Sequence, residues 1–440
     1  MISDGKRDTI SSQIAFGRGL YILTTFVMII VKANYLIPSP EDNCIENGAI
    51  AVTGTKISRI GSFDDVKGLP DIERIFDLGN AVILPGLINT HTHLDLTAMQ
   101  NHIKPTGNFT HWVFQLVGAR MRWKDEDYIS SIEKGIELCI EGGTTTVADI
   151  TNTGHSFTVL KESPLRKVIY KEIIGLDSNL SDEMIKILTE EVSSIAPDHL
   201  LHIGLSPHAP YSVSKKLYQS VSRLALEKSL PICTHIAETR DEIEFLLKGT
   251  GAFSLLLQKL HALPDNWKPP GITPIQFLHE TGILNARLNL IHANYTTDEE
   301  IALIQSTGAS VVFCPKSHQF FGHTNYPVHK YLGAGINVSL GTDSLASNDS
   351  LQILDEMKHL YSHYSVPPET ILSMATIHAA KALYMDAQIG QLKENFEADL
   401  CGIMIPEGDK GPIYQRLLDP SSKNIFTMIA GVVCYNALGK

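Results

Sequence analysis

AVILPGLINTH, residues 81–91, is an apolar run that leads directly into Thr92 and His93 and so ends in two histidines. A β-branched run without polar alternation is typical of a strand buried on both faces, as in a parallel sheet. On a strand, side chains two residues apart point to the same face. We therefore expect His91 and His93 to point together from the end of one strand.

Similar runs recur along the middle of the chain, with amphipathic, helix-like stretches such as residues 125–141 and 351–363 between them. They are GGTTTVADIT (142–151), KVIYKEIIGL (167–176), LLHIGLSPHA (200–209), LPICTHIAE (230–238), LNLIHANY (288–295), SVVFCPKSH (310–318) and INVSLGTDS (336–344). Strands that alternate with helices predict an α/β protein with a closed (β/α)8 TIM barrel, whose site lies at the C-terminal ends of the strands. An open, doubly wound sheet is the alternative, but no GxGxxG motif follows an early strand.

The two ends of the chain have a different pattern, with short β-rich runs separated by glycine turns, as in GAIAVTGTKISRIG (48–61) and NIFTMIAGVVCYNA (424–437). They predict a small β-sandwich of residues 25–80 plus 388–440, beside a barrel of residues 81–387. Residues 1–24 are expected to form a poorly ordered leader. The apolar run at residues 20–31 is shorter than the roughly 20 residues of a membrane span. We interpret it as leading into a strand, with a targeting signal as the alternative.

The composition of the chain limits which kinds of molecule the protein is expected to bind and where it is expected to be found. The net charge of the chain is −12 and there is no basic block, which argues against nucleic acid and anionic membrane surfaces. The six cysteines contain no CxxC pair, as expected for free thiols in a reducing cytoplasm. We expect a cytoplasmic protein that acts on a small molecule, and a homo-oligomer is left open.

Histidines and acids stand at the ends of the predicted strands. They are His91, His93, His208, His235, Glu238, His292 and Asp343. Imidazole nitrogen and carboxylate oxygen are ligands that Zn²⁺ and Fe²⁺ prefer. A lone HxH pair is more often incidental, and a single histidine is more often a hydrogen-bonded core residue. Their coincidence at the same end of different strands nevertheless predicts a metal site.

The motifs PGLINTHTHLD (85–95), SPHAPYS (206–212), THIAET (234–239), LIHANY (290–295) and GTDSLASND (341–349) resemble those of the amidohydrolase superfamily. The resemblance covers nearly all of the chain from about residue 28 onward. It implies one divalent metal ion, zinc or alternatively iron, held by His91, His93, His235 and Asp343. Strand 4 ends in Ser206-Pro207-His208 without the lysine that bridges two metals in the binuclear branches, which favours one metal.

The resemblance also implies how such a site reacts. A metal lowers the pKa of a coordinated water from about 15.7 to near 7. Asp343 would accept the proton of that water and His292 would orient it. Glu238 would protonate the ring nitrogen beside an aromatic C–NH₂ carbon, because a carboxyl in a dry pocket can act as a general acid.

Three further residues are candidate substrate contacts. His208 matches a position that contacts sugar hydroxyls in nucleoside deaminases of the superfamily. Trp112 lies in a loop where relatives place an aromatic wall, although an ordinary core role is equally open. His318 stands in CPKSHQFFGH (314–323), at a position where relatives commonly have asparagine. This difference leaves open which base, or which substituent on it, the site binds.

The predicted activity is hydrolytic deamination of a 6-aminopurine nucleoside of the aminodeoxyfutalosine, methylthioadenosine or S-adenosylhomocysteine type. GTDSLASNDSLQILDEMK (341–358) looks most like the aminodeoxyfutalosine deaminases. The alternatives are a triazine-type chlorohydrolase, a guanine deaminase, another amidohydrolase acting on a cyclic C–N bond, and a non-catalytic barrel. The four ligands together with Glu238 argue against the last of these.

Overall fold

The computed structural model describes residues 27–103, 107–408 and 411–439. The predicted leader, residues 1–24, lies outside these residues. The apolar run 20–31 enters them only at its end, where Met28 begins the first strand. Within the described ranges, no helix combines the length and the apolar character that crossing a membrane would require.

Strands and helices alternate along most of the described chain. The strands are β1 (Met28–Leu36), β2 (Ile45–Thr53), β3 (Lys56–Ser62), β4 (Ile72–Asp77), β5 (Ala81–Pro85), β6 (Leu87–Thr92), β7 (Thr144–Thr151), β8 (Arg166–Ile173), β9 (Leu201–Pro207), β10 (Ile232–Ile236), β11 (Leu288–His292), β12 (Ser310–Phe313), β13 (Val338–Leu340), β14 (Leu400–Met404), β15 (Lys423–Ile429) and β16 (Val432–Asn436). The helices are α1 (Phe63–Val66), α2 (Phe109–Arg120), α3 (Asp125–Glu141), α4 (Ser156–Val159), α5 (Ser181–Ser194), α6 (Lys215–Lys228), α7 (Arg240–Lys248), α8 (Ala252–Lys259), α9 (Pro274–Thr281), α10 (Asp298–Thr307), α11 (Pro315–Phe320), α12 (Val328–Gly333), α13 (Ile353–Tyr364), α14 (Pro368–Ala375), α15 (Ile377–Ala382) and α16 (Ile413–Leu417). Short 3-10 turns occupy Leu94–Met99 and Ser178–Leu180.

The middle of the chain forms the barrel. Strands β6 to β13 are parallel and lie beside one another in chain order. On one face of these strands, Leu205, Leu290 and Val311 belong to a large buried cluster that includes residues of the surrounding helices. On the other face, Ile291 and Val312 belong to a separate cluster that fills the barrel. The predicted fold class is confirmed.

The two ends of the chain form a second sheet, in the order β16-β15-β14-β5-β1-β2-β3, with β4 beside β1. The run 81–91, predicted as one barrel strand, is divided between the two sheets. Ala81–Pro85 pairs with β14 and β1, whereas Leu87–Thr92 is the first barrel strand. Gly86 stands at the division, where a Cβ would lie 2.1 Å from Oγ1 of Thr145. We propose Gly86, rather than residue 81, as the boundary of the two modules.

Backbone hydrogen bonds close the barrel between its first and last strands. Thr92 forms a parallel bridge with Asp343, and the N–H groups of Thr342 and Asp343 both donate to the carbonyl oxygen of His91 at 3.1 Å. The approach is close because residue 341 is glycine: a Cβ there would lie 2.7 Å from Cβ of His91. Closure therefore sets His91 and Asp343 side by side.

Replacing Gly341 with alanine should lower the free energy of unfolding by about 1–3 kcal/mol, because the added methyl group overpacks the closure. Gly333→Ala, in α12, is the matched control, since a Cβ there meets no atom within 4 Å. Urea unfolding measures the difference. If Gly341→Ala is as stable as the control, the close approach to His91 does not depend on this glycine.

Candidate metal centre and active site

The predicted site side chains gather at the C-terminal end of the barrel. They lie at or just after the ends of five strands and are His91, His93, His208, His235, Glu238, His292 and Asp343. All of them are buried except His93 and His208, which are partly buried. The backbone is strained here, since His292 and Asp343 have φ angles of 70° and 59°, in the left-handed region that such residues rarely adopt. Strain of this kind is concentrated at functional sites.

The four predicted metal ligands face one another at distances that suit a shared cation. Nε2 of His93 lies 3.4 Å from Nε2 of His235. Oδ1 of Asp343 lies 3.5 Å from Nε2 of His91 and 3.8 Å from Nε2 of His93. Ligand atoms around a tetrahedral zinc ion, with bonds of about 2.1 Å, lie roughly 3.4 Å apart. The set therefore has the spacing of a metal site.

For His235 and Asp343, hydrogen bonds to neighbouring groups determine which atom of the side chain is left to bind a metal. Nδ1 of His235 donates to the carbonyl oxygen of His208 at 3.1 Å, which leaves the lone pair of Nε2 free. Oδ2 of Asp343 accepts hydrogen bonds from the hydroxyls of Ser317 at 2.8 Å and Ser347 at 2.7 Å. Oδ1 is the carboxylate atom that remains for a metal.

Burial and neighbouring charges set the protonation of the group. Burial lowers the pKa of His93 to about 3 and holds that of His235 well below its usual range, so both rings keep a lone pair. Burial would raise the pKa of Asp343, but the imidazoles around it outweigh burial and hold the pKa well below its usual range. Both ring nitrogens of His91 are buried without a hydrogen-bond partner in the described part of the chain. These donors fit a divalent metal ion.

A second cluster shares one of these residues. Ligand atoms of Glu172, His208 and His235 also lie within 4.8 Å of one another. His235 has only Nε2 to offer, since its Nδ1 donates to a carbonyl oxygen. One imidazole lone pair serves one metal, so the side chains fit a single ion.

Glu238 and His292 lie beside the four predicted ligands. Oε1 of Glu238 is 3.6 Å from Nε2 of His292, and the ring centre of His292 is 5.5 Å from that of His91. Burial, with the nearby charges of Asp343 and Glu242, holds the pKa of Glu238 well above its usual range. Burial also lowers the pKa of His292 to about 3. Burial therefore favours the protonated form of Glu238 and the neutral form of His292.

Glu242 supports the turn that carries Glu238. Its carboxylate accepts hydrogen bonds from the backbone N–H groups of Ala237 at 3.0 Å and Glu238 at 2.9 Å. Nδ2 of Asn294 donates to the carbonyl oxygen of Glu238 at 3.0 Å. Ala237 has a φ of 46°, again in the left-handed region. Because Glu242 is fully buried, its hydrogen bonds hold a strained turn without competition from water.

Two of the predicted substrate contacts are histidines near this group. His208 follows β9; its Nδ1 lies 2.6 Å from the hydroxyl of Ser212, and its ring centre is 5.0 Å from that of His235. His318, in α11, is buried, and its Nδ1 lies 3.1 Å from the hydroxyl of Tyr364. Both rings therefore have one nitrogen engaged within the protein and one remaining.

Trp112, the third predicted contact, belongs to an aromatic wall made of Phe109, Trp112 and Phe321. The ring of Phe321 is 5.0 Å from the ring of each of the other two. Nε1 of Trp112 donates to the carbonyl oxygen of Ala346 at 3.1 Å, in the loop that follows Asp343. Trp112 is thus packed in a cluster and also tied to the loop of a predicted metal ligand.

Sequence reasoning missed three residues that hold the site. Ser317 and Ser347 lie inside the quoted runs, but no spacing signals that a serine will bind an aspartate. Glu242 had a signal, since Thr239 and Glu242 have the Thr-x-x-Glu spacing of a helix start. Thr239 does cap α7, accepting from the N–H of Glu242.

A sequence profile of the amidohydrolase family matches residues 82–427. The 5-methylthioadenosine/S-adenosylhomocysteine deaminase of Pyrococcus furiosus is 29% identical over 420 residues, covering 92% of this chain and 92% of that protein. An adenosine deaminase from Xanthomonas campestris with bound zinc has a TM-score of 0.82 at 23% identity, covering 93% of both chains. Helicobacter pylori aminofutalosine deaminase in complex with methylthio-coformycin has a TM-score of 0.81 at 24% identity, covering 92% of this chain and 99% of that one. The two structures share the fold.

The purified protein should contain about one equivalent of a divalent transition metal per chain. His91→Ala and Asp343→Ala should each contain clearly less metal than the wild type, because each removes one of the four predicted ligands. His208→Asn is the control and should keep full occupancy, since its side chain holds no second ion. Elemental analysis by mass spectrometry measures the content. Wild-type protein without a transition metal would contradict the assignment.

Proposed function

This chain belongs to the amidohydrolase family, and on that premise we propose that it is a metal-dependent aminohydrolase of a 6-aminopurine nucleoside. The observation that carries the proposal is the buried carboxyl of Glu238, whose Oε1 lies 3.6 Å from Nε2 of His292 beside the four predicted ligands, where burial favours its protonated form. Removing an amine from an aromatic ring requires such an acid, because the ring nitrogen next to the reacting carbon takes up a proton as water adds. Cleavage of an ordinary amide has no such nitrogen.

We propose that His91, His93, His235 and Asp343 hold one zinc ion, with iron as the alternative. Imidazole and carboxylate ligands suit both metals, and the near-tetrahedral spacing of the ligand atoms favours zinc. When bound, the metal would lower the pKa of a coordinated water from about 15.7 towards 7 and so supply the nucleophile at neutral pH.

The residues around the metal then move the protons. Asp343, which is ionised, accepts the proton of the attacking water. His292, which is neutral, holds that water over the ring carbon by a hydrogen bond. Glu238 gives its proton to the adjacent ring nitrogen. As the C–N bond breaks, the proton on Asp343 passes to the leaving amine, which departs as ammonia. The remaining hydroxyl proton returns to Glu238, and the ring carbon keeps the oxygen as a carbonyl.

We propose that the sugar of the substrate lies towards His208 and that its 5′ substituent lies against the aromatic wall. Because Nδ1 of His208 is engaged by Ser212, Nε2 remains for a sugar hydroxyl. The wall offers apolar area to a flat or apolar group. His318 lies near the strand-7 end of the site. Aminodeoxyfutalosine ranks first among the candidates, before methylthioadenosine and S-adenosylhomocysteine.

A cytoplasmic location remains part of the proposal and is supported by the six cysteines, all of which are free thiols. A small-molecule substrate, with neither nucleic acid nor a membrane as partner, is also part of the proposal, and the net charge of −12 supports the exclusion of those two polyanionic partners. A homo-oligomer is a further proposal, for which sedimentation is the measurement.

The protein should release ammonia from adenine nucleosides, and a chelator should abolish this release. A panel of aminodeoxyfutalosine, methylthioadenosine, S-adenosylhomocysteine, adenosine, guanine and a chlorotriazine measures the preference. Turnover of guanine or the triazine, with none of any adenine nucleoside, would replace the nucleoside proposal by one of those activities.

Glu238→Gln should retain its metal and lose about 10²- to 10⁴-fold in kcat, because an amide cannot deliver the proton. Glu244→Gln, on the adjacent helix α7, is the matched control. Steady-state ammonia release and metal analysis are measured on the same preparations. A Glu238→Gln enzyme with near-normal kcat would remove Glu238 from the reaction.

Glu242→Gln should lower kcat while leaving the metal content unchanged. The amide has one acceptor oxygen in place of two, so one of the N–H groups of Ala237 and Glu238 loses its partner and the Glu238 turn moves. An unsatisfied buried group costs about 1–3 kcal/mol, which corresponds to a loss of about 5- to 150-fold in rate. Equal kcat in this variant and Glu244→Gln would show that Glu242 serves stability alone.

A further inference from the structure

Two histidines in the segment after β12 have the same incomplete hydrogen bonding. Nδ1 of His318 lies 3.1 Å from the hydroxyl of Tyr364, and Nδ1 of His323 lies 2.9 Å from the hydroxyl of Tyr295. Nε2 of each ring is buried and has no hydrogen-bond partner among the residues that the structure describes. Buried polar atoms without a partner are rare in folded proteins. Two on neighbouring rings point to a ligand.

The pair lies between the proposed reaction centre and the aromatic wall. Its ring centres are 5.4 Å apart. Ser317, next to His318 in the chain, donates to Asp343. Phe321, a member of the wall, has its ring centre 6.0 Å from that of His323. A substrate that reaches from the metal ligands to the wall therefore extends past these two rings.

The surroundings indicate that both Nε2 atoms are donors. Arg240 lies against Tyr295, with its guanidinium carbon 4.6 Å from the ring centre, and donates to the tyrosine oxygen. The Tyr295 hydroxyl then donates to Nδ1 of His323, which leaves the proton of that ring on Nε2. For His318, a hydrogen bond donated by the Tyr364 hydroxyl to Nδ1 would likewise place the ring proton on Nε2. Burial lowers the pKa of His318 to about 3 and that of His323 to about 4, so each ring carries one proton.

We propose that His318 and His323 bind a carboxylate group of the substrate, at the end remote from the amine. Two N–H donors on neighbouring rings match the two oxygens of a carboxylate, and hydrogen bonds to an ionised acceptor are about twice as strong as neutral ones. The positive charge of Arg240 polarises the hydrogen bonds that run from Arg240 through Tyr295 to His323. This polarisation makes the Nε2–H group of His323 a stronger donor to an anion. The inference rests on the proposed function, because it names the substrate class of the same site: adenine nucleosides with an acidic substituent.

Matched ligands test the carboxylate directly. A 5′-thioadenosine with a carboxypropyl group and the corresponding carboxamide are compared in deamination, and the two inosine products are compared by calorimetry. The wild-type enzyme should prefer the carboxylate by about 10- to 100-fold in KM and Kd. Its kcat should be the same for both, because the pair does not touch the reacting carbon.

Variants then locate the preference. His318→Asn and His323→Gln should each reduce it about tenfold, because each removes one of the two N–H donors, and should weaken carboxamide binding less than carboxylate binding. Tyr295→Phe, which keeps the ring and removes only the hydroxyl that orients His323, should reduce it less and serves if a histidine variant does not fold. His279→Gln, at an exposed histidine of α9, is the control.

Equal binding of carboxylate and carboxamide by the wild-type protein, or binding of neither, overturns the inference. So does a preference that survives in both histidine variants. A calorimetric preference without deamination of any nucleoside supports the carboxylate site and overturns the proposed reaction. Deamination with equal binding does the reverse, so the two failures are distinguishable.

Discussion

Closure of the barrel by hydrogen bonds from Thr342 and Asp343 to the carbonyl oxygen of His91 is the constraint on which the site depends. The first and last strands supply the ligands that β10 cannot supply alone. At the closure, Oδ1 of Asp343 comes within 3.5 Å of Nε2 of His91. The glycine at position 341 makes this approach sterically allowed. The metal centre is thus a consequence of how the last strand meets the first.

The same buried site holds two carboxyl groups whose pKa values are shifted in opposite directions. Burial raises the pKa of Glu238, which has carboxylates as its charged neighbours. Asp343 is just as buried, but imidazoles surround Oδ1 and the hydroxyls of Ser317 and Ser347 occupy Oδ2. Environments that push two carboxyl pKa values apart separate an acid from a base. The two carboxyl groups are equally buried, so it is their different neighbours that make Glu238 the proposed acid and Asp343 the proposed base.

Much of this could be predicted from the sequence, because apolar runs with histidines at their ends carry both the barrel and its ligands. The division at Gly86 could not, since both halves of AVILPGLINTH are equally apolar and each is buried in its own sheet. Glu242 shows a different limit. Its spacing from Thr239 indicates a helix start, but only the fold shows that the carboxylate turns back to Ala237 and Glu238. A serine hydroxyl such as that of Ser317 can both donate and accept hydrogen bonds, so the sequence does not indicate which residue will be its partner.

The loops that shape the far end of the cavity are also the loops that fix Asp343. Nε1 of Trp112 donates to the carbonyl oxygen of Ala346, and the next residue, Ser347, donates to Oδ2 of Asp343. On the other side, helix α11 begins with the segment that carries Ser317 and leads towards Phe321. A group that displaces the wall therefore displaces a proposed metal ligand. Since small misplacements of reacting groups are costly to rate, a sugar substituent bulky enough to displace the wall should lower kcat. Substituents of equal shape, such as a carboxylate and its carboxamide, should differ in binding alone.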